Sequence, residues 1–161
     1  MTSRANTTDI LRTLRTRAFA ERAAVPAECF VDASAWYPIA LAKHPDHATL
    51  ARALTDRVRR GTRIVTTNLV LAESHALLTT RVDPRTALRF LEAARSRPNV
   101  VIESTAELED AAQRDWLRKY NDHRFSLADA VSFAVMKARG IYEALTLDHH
   151  FVIAGFTIAG D

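Results

Sequence analysis

A single cysteine in 161 residues, Cys29, excludes an internal disulfide framework and any zinc site built on clustered thiolates. Four glycines and five prolines are too few for a linker-rich or low-complexity chain. No apolar run approaches the ~20 residues that span a bilayer, and no signal-peptide core is visible. The expectation is therefore a soluble, cytoplasmic protein with no membrane partner. Charge of one sign is scarce as well. The formal net charge is +3, and the first 25 residues hold five arginines (4, 12, 15, 17 and 22) against Asp9 and Glu21. The whole excess sits there, and the remaining body is neutral. A broadly basic surface, the usual footprint of duplex DNA binding, is absent.

What is present is ordinary globular usage, 48% hydrophobic and 25% charged, in a chain of single-domain length. The reading divides it into a basic N-terminal arm or helix over 1–28 and one folded domain over 29–161. In the arm, Ile10, Leu11, Leu14 and Ala18 recur at helical spacing between arginines, which predicts a short amphipathic helix. Its Arg-rich, acid-poor composition also fits a transit peptide, but a docking arm is the simpler reading.

The domain alternates. Short apolar runs at 29–31, 63–66, 100–102, 144–147 and 156–159 read as strands. Helical patterns fill 35–43, 47–60, 69–81, 84–96, 106–120 and 126–140, with Asn68 as an N-cap, Pro84 in a first turn and Gly140 as a C-cap. Strands interleaved with helices indicate an α/β fold with a mainly parallel sheet. In such sheets ligands collect beyond the carboxyl ends of the strands.

Two acids stand at that place. Asp32 directly follows Phe30-Val31, and Asp148 follows Ala144-Leu145-Thr146-Leu147. An acid abutting a buried strand is costly unless it finds a donor, a cation or water. Asp32 also suits the N-cap of the next helix, a role Ser34 is equally placed to fill. Asp129, three residues after Ser126, completes a capping box. Glu73 interrupts the apolar stretch from Leu69 to Leu78, where a solvated helix face is the plain alternative. If all four converge, they repel, and some protonate unless a hard divalent cation neutralises them. Oxygen donors suit Mg²⁺ or Mn²⁺ better than zinc, and cations so held serve displacement at phosphorus.

Phe30-Val31-Asp32-Ala33-Ser34, the segment from Thr66 to Glu73, the segment from Phe125 to Ala134, and Leu145-Thr146-Leu147-Asp148 together resemble the PIN-domain nucleases. Their order and spacing are similar to VapC-type toxins of bacterial toxin–antitoxin pairs, and the resemblance covers 29–159. It implies a three-layer sandwich with a four- or five-stranded, mainly parallel sheet, and metal-dependent endoribonuclease activity. It also implies an RNA substrate, a small cognate antitoxin and a homodimer. Asp32, Glu73, Asp129 and Asp148 would be the catalytic, metal-binding acids, supported by Ser34, Thr146 and Asp122. Residues 1–28 lie outside the compact family pattern.

Other residues carry second readings. His149 and His150 invite a metal site, but no further His or Cys is near in sequence, so surface histidines are expected. His123 and Arg124 suit a phosphate contact or a solvated loop. Trp36 and Tyr37 suit a base stack or, better, the packing of the first helix. Arg57, Arg59, Arg60 and Arg63 form a basic cluster that fits either a phosphate contact or a solvated helix end. Two rival functions remain. A haloacid-dehalogenase-type phosphatase would use Asp32 as nucleophile, but that chemistry wants an acid at position 34, which is Ser. A non-catalytic RNA- or antitoxin-binding module would use the acids for binding alone.

Overall fold

Five parallel strands build one sheet: β1 Glu28–Val31, β2 Arg63–Thr67, β3 Val100–Ile102, β4 Glu143–Leu145 and β5 Thr157–Ile158. Their spatial order is β3-β2-β1-β4-β5. The structure, a computed structural model, describes residues 26–159. The arm expected at 1–28 lies, apart from its last three residues, outside the described residues, and so does the helix expected within it.

Helices α1 Ala33–Ile39 and α2 His47–Arg59 connect β1 to β2, and α3 Asn68–Arg81 and α4 Pro84–Ala94 connect β2 to β3. Helix α5 Ala106–Ala112, one π-helical turn Gln113–Leu117, and α6 Leu127–Arg139 lead to β4; α7 His150–Ile153 precedes β5. The chain steps one way from β1 to β3, then returns past β1 to β4 and β5. With right-handed crossovers, that reversal puts α1–α4 on one face and α5–α7 on the other. The packing agrees: α3 lies against α1 and α4, while α6 lies against α5 and α7. The expected α/β three-layer sandwich is present, and its sheet is parallel throughout.

Local chemistry sets most element ends. Thr67, Asp83, Thr105 and Ser126 each accept a backbone N–H at a helix start, and Pro84 occupies a first-turn position. Gly140 closes α6 at φ 67°, a left-handed conformation that glycine adopts without a Cβ clash. Some boundaries differ from the sequence reading. Asn68 is inside α3 and Thr67 caps it; the Asn68 side-chain Oδ1 accepts Ser104 N–H at 2.9 Å instead. Strand β4 stops at Leu145, since Thr146 turns its hydroxyl into the sheet edge. The long helix expected over 106–120 is broken by the π turn, and the N-cap residue of the short α7, His149, makes no side-chain cap bond.

Both sheet faces are covered, so β1, β2 and β4 are almost wholly buried. Phe133 is the centre of one layer, its ring 5.2 Å from Phe125, 5.0 Å from Phe151 and 5.7 Å from Phe156. Trp36 belongs to the opposite layer: it is buried, and its Nε1 donates to Thr66 Oγ1 at 3.3 Å. Packing, not base stacking, is its role. Cys29 is fully buried in β1, and desolvation pushes its thiol up to about 12. The thiolate is the reactive species, so Cys29 should resist iodoacetamide at pH 8 in the native protein and label rapidly in denaturant. Mass spectrometry of alkylated protein checks this, and native labelling would mean that β1 opens readily.

Candidate metal centre

The sheet reverses its strand order at the β1–β4 pair, the place where open α/β sheets bind ligands. The ladder continues one residue past β1, with Asp32 N–H donating to Leu145 O at 3.2 Å. Asp32 and Thr146 thus become neighbours on the carboxyl edge. Asp32 Oδ2 accepts Ser34 N–H at 3.1 Å, so Asp32 and not Ser34 caps α1. It also accepts from Thr146 Oγ1 at 3.2 Å.

Thr146 has one proton to give, and Asp32 takes it. The 3.0 Å contact between Ser34 Oγ and Thr146 Oγ1 is therefore donated by Ser34. Thr146 Oγ1 also accepts Asp148 N–H at 2.9 Å, and Ser34 Oγ accepts Leu147 N–H at 2.8 Å. The Thr146 hydroxyl is fully engaged, and Ser34 Oγ both donates and accepts. They tie Asp32 to the loop carrying Asp148, so Ser34 and Thr146 hold the places expected of supporters.

Asp148 Oδ1 accepts His150 N–H at 2.9 Å, which starts α7 and folds the imidazole back toward the acids. His150 Nδ1 lies 3.3 Å from Asp148 Oδ2 and 3.9 Å from Asp129 Oδ2. It is buried and has no hydrogen-bond partner. Asp129 and Ser126 form the capping box, with Ser126 N–H donating to Asp129 Oδ2 at 2.8 Å. The capping box is present, and the first turn of α6 opens onto the same edge, so the cap also stands beside Asp148 and His150. Asp129, Asp148 and His150 offer ligand atoms within 4.8 Å of one another.

Asp32 and Glu73 stand beside this trio. Burial, then the charge of Asp129, raises the Asp32 carboxyl, opposed by its hydrogen bonds. Glu73 is raised by partial desolvation and by the charges of Asp32, Asp129 and Asp148. All four acids therefore share one field, and an unpartnered imidazole nitrogen faces them. That donor set fits a divalent cation.

An acid whose folded pKa lies above its unfolded value makes the folded state bind more protons. The associated stability is full below the usual carboxylate range and is lost as pH rises through the folded value. In EDTA, Asp32→Asn should therefore melt higher than wild type at pH 7, by a margin that shrinks toward pH 4. Calorimetry at the two pH values checks the sign, and a margin that grows on acidification would refute it.

His150 is the residue that sequence reasoning set aside. The exposed His149 is the surface histidine expected, but His150 faces the acids with a side chain only 30% exposed. The available signal was an acid and a histidine two residues apart directly after a strand. Asp122, by contrast, does not join the site. Its side chain is 78% exposed, and its ionic neighbour is His123 Nε2 at 3.9 Å. The turn over 118–123 carries it into solvent.

The basic cluster also lies elsewhere. Arg59 ends α2 and Arg63 begins β2, at the amino edge of the sheet and opposite the acids. Arg57 is committed to Glu143, with Nε–Oε2 at 3.1 Å and a second contact at 2.6 Å.

The sequence profile of the PIN domain matches residues 29–156, and the chain belongs to this family. It is VapC-like within it. Over 127 residues it is 35% identical to the 23S rRNA-specific endonuclease VapC20 from two strains of Mycobacterium tuberculosis, covering 79% of this chain and 94% of the relative. The crystal structure of Mycobacterium tuberculosis VapC20, a Sarcin-Ricin loop cleaving toxin, matches with a TM-score of 0.73 and 33% identity. That match covers 80% of this chain and 96% of the other.

Proposed function

We propose that this protein is a Mg²⁺- or Mn²⁺-dependent endoribonuclease, the toxin of a pair with a small antitoxin protein, acting in the cytoplasm as a homodimer. The observation that carries the reading is the meeting of Asp129, Asp148 and His150 at the edge where Asp32 emerges from β1. Among the described residues, no helix is long and apolar enough to cross a membrane.

Asp32, Glu73, Asp129 and Asp148 hold the cation in this reading, with His150 as an additional donor. When bound, such a cation supplies Lewis-acid stabilisation of phosphate charge and lowers the pKa of a coordinated water. The chain's own part is positional. Thr146 and Ser34 lock the Asp32 and Asp148 loops together, a role in which outer partners govern affinity by about 10–100-fold. The Ser126 N–H fixes the Asp129 carboxylate, and the α7 turn fixes His150.

The phosphatase alternative loses support here. The Ser34 hydroxyl gives its proton to Thr146 and accepts Leu147 N–H, and the position carries no carboxyl to act as acid or base.

The test uses 23S rRNA, the named substrate of the relatives. Purified protein should cleave it at discrete positions in Mn²⁺, stop in EDTA and resume on Mn²⁺ addition. Cleavage that persists in EDTA overturns the metal-dependent mechanism. Binding of RNA without turnover at saturating Mn²⁺ would favour the non-catalytic module.

A further inference from the structure

Between the π turn and α6, a ladder of rings runs from the surface to the acid site. Phe125 meets His150 edge-on, centroids 5.2 Å apart and planes at 81°. His123 lies flat on Phe125 at 5.6 Å and 17°. Tyr120 flanks both, 6.1 Å from His123 and 5.7 Å from Phe125. Phe125 is buried, whereas the His123 side chain is 36% exposed. One face of the His123 ring is covered by Phe125, while the residue as a whole is exposed. The neighbouring Arg124 is exposed and forms no ion pair among the described residues.

The electrostatics ask for such a device. The body is neutral, the active edge is acidic, and the arginine cluster of α2 and β2 lies at the far edge of the sheet. A substrate polyanion must be held at the acids by local groups. Stacking on a ring does not depend on net charge and accepts any base. A ring already backed by Phe125 loses little side-chain freedom on binding. The contact from Phe125 to His150 also fixes the distance between a stacked base and the metal centre.

We propose that His123, backed by Phe125, is a stacking platform for a nucleobase of single-stranded RNA next to the scissile phosphate, with Arg124 contacting the adjoining backbone phosphate. This rests on the RNA-cleaving reading of the acid site and adds to it the element that positions the substrate.

The test compares labelled oligouridylate with an abasic ribose-phosphate oligomer of equal length, by fluorescence anisotropy in EDTA. The two probes carry equal charge and differ only in bases. Wild type should bind the base-bearing oligomer about tenfold tighter or more. His123→Ala should erase that preference, and His123→Phe should keep it, which separates stacking from a folding defect. Arg124→Ala should weaken both probes alike and reduce the salt slope by about one. Retention of the preference in His123→Ala, or its absence in wild type, overturns the platform. If wild type shows the preference but fails to cleave 23S rRNA in Mn²⁺, the nuclease reading fails and the platform stands. If it cleaves RNA without the preference, the platform alone fails.

Discussion

Asp148→Asn should lower divalent-dependent RNA cleavage by at least about 100-fold while the protein stays folded. The substitution removes one charge and keeps the shape. Its carbonyl oxygen still accepts His150 N–H, so the turn into α7 persists. What is lost, on the proposed function, is an anionic ligand at the centre of the Asp129–Asp148–His150 group. Partners one step removed from a metal already cost about 10–100-fold when mutated, so a direct ligand should exceed that range. His150→Ala should fall between, with weaker Mn²⁺ affinity because it deletes one donor and leaves the four carboxylates in place. Single-turnover cleavage across a Mn²⁺ titration, with calorimetric Mn²⁺ binding, separates chemistry from metal affinity. An Asp148→Asn protein that cleaves within threefold of wild type would remove this residue from the site.

Phe133→Ala should destabilise the fold by about 3–5 kcal/mol, the usual cost of emptying a buried aromatic position. Phe133 is completely buried on the inner face of α6 and touches the rings of Phe125, Phe151 and Phe156. These neighbours come from the loop before α6, from α7 and from the segment before β5, so none can collapse into the void without moving another. A shift in melting temperature of roughly 10 °C follows for a domain of this size. Denaturant unfolding of purified variant and wild type measures it. A loss under about 1 kcal/mol would mean that the aromatic layer repacks freely. The same layer carries Phe125 and Phe151, so a partly folded variant should also bind Mn²⁺ more weakly.

The acids show how far a linear reading reaches. Asp32 was legible because it follows a short apolar run, and a strand end is a local property of sequence. Asp148 was legible on the same ground, even though β4 stops before it and Thr146 supplies the bridge. Asp129 carries two signals in one motif: the structure shows the capping box and places the carboxylate beside Asp148 and His150. Glu73 reads either as one of the metal-binding acids or as part of a solvated helix face; it is exposed, and its carboxyl is raised first by partial desolvation and then by three acids that are distant in the chain. His150 is illegible as a site residue because no further His or Cys is near it in sequence, while its neighbours are carboxylates from α6 and the β4 loop. Asp122 was placed by resemblance, but its turn faces water. Asn68 had the right chemistry for a cap and was recruited by Ser104 instead.

The sequence by itself determined the α/β alternation, the parallel sheet and which acids end which strands. These follow from apolar periodicity, caps and turn residues acting within a few positions of one another. The tertiary structure alone decided which groups meet. Reversal of strand order at β1 brings Asp32 beside Thr146, and the first turns of α6 and α7 deliver Asp129 and His150 to the same edge. It also sent the α2 arginines to the opposite edge and stacked His123 on Phe125 beside the acids. The reason is physical: convergence depends on crossover handedness and on packing between segments more than a hundred residues apart, and no local pattern encodes either.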